Sequence, residues 1–211
     1  MSASDTVVVL DFETTGLSPN LGDRAIEIGA VKIENGVIVD RFQELMYPGQ
    51  RVSTFIETYT GISNVMLGDA RPCSAVMDNF ADFIEDFNLV AHNASFDKRF
   101  LDYELGLIAR SYSGQFLCSM LTARRMYQDA LNHQLGTLIS HMNILSEGEY
   151  HRALYDSEMT AKLWIAMLDK IRQRTGLSML PVNLIQKLMK MPKHSVDAFL
   201  EKTGGLQSPT Q

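Results

Sequence analysis

Thr6-Val7-Val8-Val9-Leu10-Asp11-Phe12-Glu13 is the stretch on which the reading of this chain turns. Its unbroken aliphatic run predicts a buried strand over about residues 6–12, and the run drives straight into a pair of carboxylates. Residues i and i+2 of a strand share a face, so Asp11 and Glu13 point the same way. Like charges that close raise each other's pKa unless a cation intervenes, and a divalent metal ion is the simplest such cation. Solvated strand-end acids would show the same spacing, so the rest of the chain has to decide.

Outward from this strand, Thr14-Thr15-Gly16-Leu17-Ser18-Pro19-Asn20 reads as a loop, punctuated by Gly and Pro. Ala25 to Glu34 and Val37 to Tyr47 read as two strands joined by Asn35-Gly36, the strongest short hairpin signal. Apolar residues at 76, 77, 80, 83, 84 and 87 mark a helix over Cys73 to Phe87. A short strand at Asn88–Ala91 then runs into a helix opened by His92-Asn93-Ala94-Ser95 and carrying Phe96 and Asp97. A strand near Phe116–Ser119 leads to a helix ending about Gln128, and another helix occupies about 133–142. Ala153 to Gln173 is a long amphipathic helix with Met159, Leu163, Trp164, Met167, Leu168 and Ile171 on its buried stripe and Asp156 in its first turns. An early hairpin followed by βα units predicts an α/β layer fold with a mixed central sheet.

At 211 residues and 45% hydrophobic content the chain can bury one sizeable core. Residues 1–175 are expected to form the main domain. Residues 176–211, divided by Pro181 and Pro192, are expected to form a short helical extension with a disordered end at Ser208–Gln211. The net charge of −6 argues against broad attraction to nucleic acid, yet Lys170 to Lys202 holds seven basic residues against two acidic ones. No aliphatic stretch approaches the roughly 18 to 20 residues that cross a bilayer. The first residues lack the basic and apolar regions of a secretory signal, so a cytoplasmic location without membrane contact is expected. Cys73 and Cys118 are far apart, which predicts reduced thiols and no disulfide framework. The 12 methionines read as core filling.

Three acidic sites occur in succession: Asp11 with Glu13, Asp97 at a helix start, and Asp156 early in a long helix. Ligands of open α/β sheets gather at the carboxyl ends of the strands, where such termini converge. Four carboxylates there suit hard, oxygen-preferring ions such as Mg²⁺ or Mn²⁺. His151, five residues before Asp156, places an imidazole close to the helix that supplies a carboxylate.

These segments together resemble the DEDD superfamily of 3′→5′ exonucleases, in the histidine-bearing branch that includes bacterial proofreading subunits. The likeness runs through Val8–Leu17, Ile26–Val31, Val90–Asp97, Asn132–Leu135 and His151–Asp156. It implies a ribonuclease H-like fold, a five-stranded mixed sheet with helices on both sides. It also implies two divalent cations held by Asp11, Glu13 and Asp156, with Asp97 on the second ion and His151 as general base. The expected reaction is hydrolysis of phosphodiester bonds at DNA 3′ ends, releasing 5′-mononucleotides. Thr14 and Thr15 would lie near the terminal sugar, Gly16 would belong to the same substrate-binding loop, Leu17 would wedge between bases, and Asn93 would reach a phosphate. Phe96 is either a stacking face or core.

His92 and His133 read as hydrogen-bonded structural residues. Two positions depart from the family pattern: Thr60 stands where many proofreading relatives carry His, leaving a hydroxyl to serve the nucleotide, and Cys118-Ser119 stands where relatives often have Asp-Thr. Two other functions compete: an exoribonuclease of the same superfamily, and a noncatalytic module that binds a polymerase or replication complex. The basic C-terminal pieces would serve either such a partner, the single strand, or simply the core as a helical cap.

Overall fold

The structure, a computed structural model, describes residues 3–146 and 152–205. Strand β1 (Val7–Thr14) lies inside a six-stranded sheet together with β2 (Ala25–Glu34), β3 (Val37–Tyr47), β4 (Arg71–Pro72), β5 (Asn88–Ala91) and β6 (Phe116–Cys118), in the order β4-β3-β2-β1-β5-β6. β1 is antiparallel to β2 and parallel to β5, so the sheet is mixed. Val7, Val8, Val9 and Leu10 have no exposed surface, because helices cover both faces of the strand that the apolar run foretold. Asn35 and Gly36 both take positive φ, 52° and 79°, the conformation a tight hairpin between β2 and β3 requires.

The expected five strands are all present; the sixth, β4, is a two-residue parallel pairing at the edge. So short a segment leaves no periodicity to read. Helices α1 (Thr54–Thr60) and α2 (Asn64–Gly68) were also not foreseen. Each is capped by a serine, Ser53 accepting from Ile56 N and Ser63 from Met66 N, and each is too short to show a stripe. Helix α4 (Ser95–Leu107) starts three residues later than expected, because Asn93 turns the chain through a left-handed conformation with φ of 68°.

Register separates the two faces. Phe42, paired with Ala30, turns its ring to Phe80 and Phe83 of α3 (Cys73–Ile84), with centroids 5.3 and 5.4 Å away. Gln43 and Gly29, one residue on, face the opposite side, where α7 (Ala153–Thr175) lies. α5 (Ser119–Met126) and α6 (Leu135–His141) pack beside α7. Trp164 of α7 is fully buried, its indole N–H donating to Ser4 O at 2.8 Å.

The C-terminal helices α8 (Val182–Lys190) and α9 (Val196–Gly205) bury Val182, Ile185, Leu188, Val196 and Leu200 in the same core as the sheet. Among the described residues no helix is long and apolar enough to cross a membrane. His151 and the expected disordered end, Ser208–Gln211, lie outside the described residues.

Candidate active site

Alternation along β1 puts Asp11 and Glu13 on the face that α7 covers, and their direct partners on β2 are Gly29 and Glu27. Gly29 is what lets the helix come close. A Cβ there would sit 2.1 Å from Ala153 C and Leu154 N, so the strand and the first turn of α7 touch backbone to backbone. Ser157 Oγ donates to Gly29 O at 2.8 Å and fixes the next turn. Asp156 is thereby laid against β1. Carboxylate oxygens of Asp11, Glu13 and Asp156 lie within 4.8 Å of one another.

Asp97, in the first turn of α4, approaches from the β5 side. It is 1% exposed, accepts from the backbone N–H of Phe12 at 3.3 Å, and its Oδ2 has no hydrogen-bond partner among the described residues. Burial, then the charges of Asp97, Glu13, Asp156 and Glu27, hold the Asp11 carboxyl well above its ordinary range. Glu13 is pushed up to about 8, by burial first and then by Asp156, Glu27 and Asp97, with Arg152 opposing. Burial raises Asp97 to about 7 against the pull of two backbone N–H groups.

A cluster of this kind is unfavourable by itself: at an effective dielectric of about 20, two unit charges about 5 Å apart repel by roughly 3 kcal/mol. An ion of opposite charge reverses that sign. The oxygens of the triad are all carboxylate oxygens, which suits a hard cation, and the buried Asp97 Oδ2 is a further carboxylate oxygen without a hydrogen-bond partner among the described residues. Asp11, Glu13 and Asp156 form an acidic triad that can bind a metal ion.

Above the acids opens a cleft of about 670 Å³. One wall is the loop after Glu13, wound round Asp23. Ser18 N donates to Asp23 Oδ2 at 2.9 Å, Thr15 Oγ1 reaches Asp23 Oδ1 at 3.4 Å, and a Cβ on Gly16 would collide with the same carboxylate at 2.4 Å. Thr14 Oγ1 donates to Gly16 O at 2.6 Å. Leu17, at the rim, is 77% exposed. The other wall is α1, where Phe55 and Tyr59 stack at 5.8 Å and 12° although 72% and 50% exposed.

Thr60 also lines the cleft, but it is buried and its hydroxyl is committed to its own helix end, donating to Ile56 O at 2.8 Å and accepting from Ile62 N. Phe96 lines the cleft half-buried and packs on Phe100 at 5.1 Å. Asn93 is exposed on the turn before α4 and is not among the residues that line the cleft, although its carbonyl accepts from the backbone N–H of Phe96, which is.

The sequence reading missed Phe55 and Tyr59, whose signal was the Ser53 and Gly61 caps bracketing a short apolar helix. It also gave no role to Glu27, a lone acid inside an apolar strand. At the Cys118-Ser119 departure, Ser119 supplies a part-buried hydrogen bond with His92 Nδ1 at 2.9 Å, and Cys118 Sγ caps α5. His92 Nε2 reaches His133 O at 2.9 Å, and burial lowers the imidazole pKa to about 4, so the ring is neutral and structural.

The RNase_T family model, described as Exonuclease, matches residues 8–164. The chain belongs to this exonuclease family. DNA polymerase III PolC-type of Caldanaerobacter subterraneus subsp. tengcongensis is 35% identical over 206 residues, 95% of this chain and 15% of the relative. The 3′-5′ exonuclease DinG of Bacillus subtilis is 34% identical over 190 residues, 90% of this chain and 20% of the relative. The chain thus spans a fifth or less of these curated relatives. The solved structure of exonuclease X in complex with 5′ overhanging duplex DNA superposes with a TM-score of 0.68 at 24% identity, covering 87% of this chain and 99% of that one. The ribonuclease H-like fold of the family is therefore the fold of this chain.

Proposed function

We propose that this chain is a metal-dependent 3′→5′ exonuclease that hydrolyses phosphodiester bonds at single-stranded or mispaired DNA 3′ ends and releases 5′-mononucleotides. The observation that carries this reading is the convergence of Asp11, Glu13 and Asp156 within 4.8 Å at the floor of an aromatic-walled cleft. Asp11, Glu13, Asp97 and Asp156 would hold two divalent cations, Mg²⁺ or Mn²⁺. When bound, the pair would make water a better nucleophile at neutral pH and offset the charge that develops on the phosphate.

The chain's own residues do the rest. His151 takes the proton from the attacking water, a task suited to an imidazole whose ordinary pKa lies near working pH. Thr14, Thr15 and Gly16 hold the terminal sugar at the end of β1, with Thr60 packed behind it. Leu17, Phe55, Tyr59 and Phe96 offer apolar and aromatic surface to the bases, and such contacts accept any base because every base has a π-face. The curated relatives include DNA polymerase III proteins, which supports a DNA substrate and a polymerase or replication complex as partner. A cytoplasmic setting is part of the same proposal, and two free cysteines are consistent with it.

The test is a 5′-labelled single-stranded DNA oligonucleotide incubated with Mg²⁺ and either wild type or Asp11→Ala, with a matched RNA alongside. A ladder shortening from the 3′ end with wild type alone supports the proposal. RNA cleaved about tenfold faster than DNA at the same salt would transfer it to the exoribonuclease reading. No cleavage of either, with Mg²⁺ or Mn²⁺, would leave a binding module.

A further inference from the structure

Glu27 has no exposed surface, yet it sits in β2 directly opposite Glu13. Burying a carboxylate beside other carboxylates is unfavourable unless strong donors surround it. Glu27 accepts from Arg152 Nε at 3.2 Å and Nη2 at 2.9 Å, from the backbone N–H of Ala153 at 3.1 Å and from Gln43 Nε2 at 2.8 Å. The Ala153 N–H belongs to the first turn of α7, where backbone donors have no partner within the helix. Glu27 therefore closes the start of the helix that carries Asp156. Its cross-strand partner is Glu13, and Asp11 lies two residues along the same strand, opposite Gly29.

We infer that Glu27 is a positioning residue: through Arg152 and the N-terminus of α7 it sets how far Asp156 stands from the β1 carboxylates, and so sets the affinity of the triad for a divalent cation. The inference rests on the reading of the triad as a metal site. Gly29 lets α7 touch the sheet, and its carbonyl holds the second turn through Ser157, but that one bond leaves the start of the helix to be set. Three of the four donors on Glu27, Arg152 Nε, Arg152 Nη2 and Ala153 N, belong to the start of α7 and set it, because sliding the helix by a fraction of a turn would break them. Arg152 also follows His151 in the sequence, so the same anchor precedes Asp156 and adjoins the residue proposed as general base.

A glutamine at position 27 keeps the shape but turns one acceptor into a donor facing donors. At least one of the four N–H groups then loses its partner, and α7 must shift. Arg152→Met breaks the anchor from the other side at a side chain 39% exposed, where folding is least at risk. Glu104 provides a matched control. It is likewise buried and holds Arg24 through Nε and Nη2 at 2.8 Å and the Ala25 N–H at 3.2 Å.

The experiment measures Mn²⁺ binding by the loss of the free-ion electron paramagnetic resonance signal, on proteins shown to be folded by circular dichroism. Glu27→Gln and Arg152→Met are expected to weaken Mn²⁺ binding by about tenfold or more. They should lower kcat for the oligonucleotide while KM moves by less than about threefold, since the loop and α1 are untouched. Glu104→Gln should bind Mn²⁺ within about twofold of wild type. Folded Glu27→Gln and Arg152→Met proteins that bind Mn²⁺ like wild type would overturn the inference. So would a Glu104→Gln protein that loses as much affinity as they do. Wild type that binds no Mn²⁺ would remove the metal reading and this inference together.

Discussion

Removing the metal should make this protein lose stability as pH rises through neutrality. In the folded chain Glu13 titrates at about 8 against an ordinary 4.5, and Asp97 at about 7 against 3.8. A raised carboxyl pKa means that the folded state binds more protons than the unfolded state between the two values. Stability is then greatest below the unfolded pKa and declines as pH rises to the folded one. Each pH unit in that window removes about 1.4 kcal/mol per fully responding group. Between pH 6.5 and 8, Glu13 accounts for about 2 kcal/mol and Asp97 for a fraction more. Their mutual repulsion is shared, so about 2 kcal/mol is the figure for the cluster.

The window must start at pH 6.5, because the buried neutral His92, lowered from 6.5 to about 4, works in the opposite sense below it. For a chain of this size about 2 kcal/mol is a fall in Tm of roughly 4–8 °C. The assay is thermal unfolding followed by circular dichroism from pH 6.5 to 8, in EDTA and in saturating Mg²⁺. With Mg²⁺ bound the acids are already ionised and the fall should vanish. An EDTA profile that is flat or rising, or one parallel to the Mg²⁺ profile, would refute the reasoning that the cluster is strained without a cation.

Gly29→Ala brings a methyl to 2.1 Å from the backbone of Ala153 and Leu154, so α7 must lift by about 1.5 Å. A loss of roughly 3 kcal/mol in urea unfolding is expected, with nuclease activity down about 10²-fold through the displaced Asp156; unchanged values for both would mean the helix does not rest on Gly29. Phe55→Ala with Tyr59→Ala should weaken binding of a single-stranded oligonucleotide by about 10- to 100-fold in fluorescence anisotropy. It should leave Tm almost unmoved, because both rings are largely exposed. His151→Ala should lower kcat by about 10² to 10⁴ without altering Mn²⁺ binding; a rate within threefold of wild type would exclude His151 as the base.

Much of this architecture is legible because burial leaves a mark on sequence. The run from Val7 to Leu10 reads as a central strand since both of its faces are covered, and Asn35-Gly36 reads as a hairpin since few other pairs take positive φ twice. Asp11 and Glu13 stand out for the opposite reason, as charges where apolar residues are expected. Legibility fails where an element spans too few periods for a stripe to repeat. α1 spans under two turns, so the aromatic wall of the cleft, Phe55 and Tyr59, was invisible to a stripe search. It fails also where one residue does two jobs. Ala25 to Glu34 reads as a strand and Ile26–Val31 as part of the family likeness, and neither reading gives a role to Glu27 or Gly29, which share the face under α7.

The buried acids themselves sort into two kinds, and the sorting carries the functional argument. Glu27 and Glu104 each hold an arginine, Arg152 at 2.9 Å and Arg24 at 2.8 Å, and each also takes a backbone N–H, so their charges are balanced within the chain. Asp11, Glu13 and Asp97 have no ion pair with arginine or lysine among the described residues, and burial raises the pKa of each. A fold that can place an arginine against a buried glutamate twice does not lack the means to neutralise the others. Leaving Asp11, Glu13 and Asp97 without one is destabilising, and natural structures retain such strain mainly where function uses it. A lysine or arginine filling the triad would relieve that strain and abolish the site together. Among the described residues no lysine or arginine pairs with these three acids, and the carboxylate geometry suits a divalent cation.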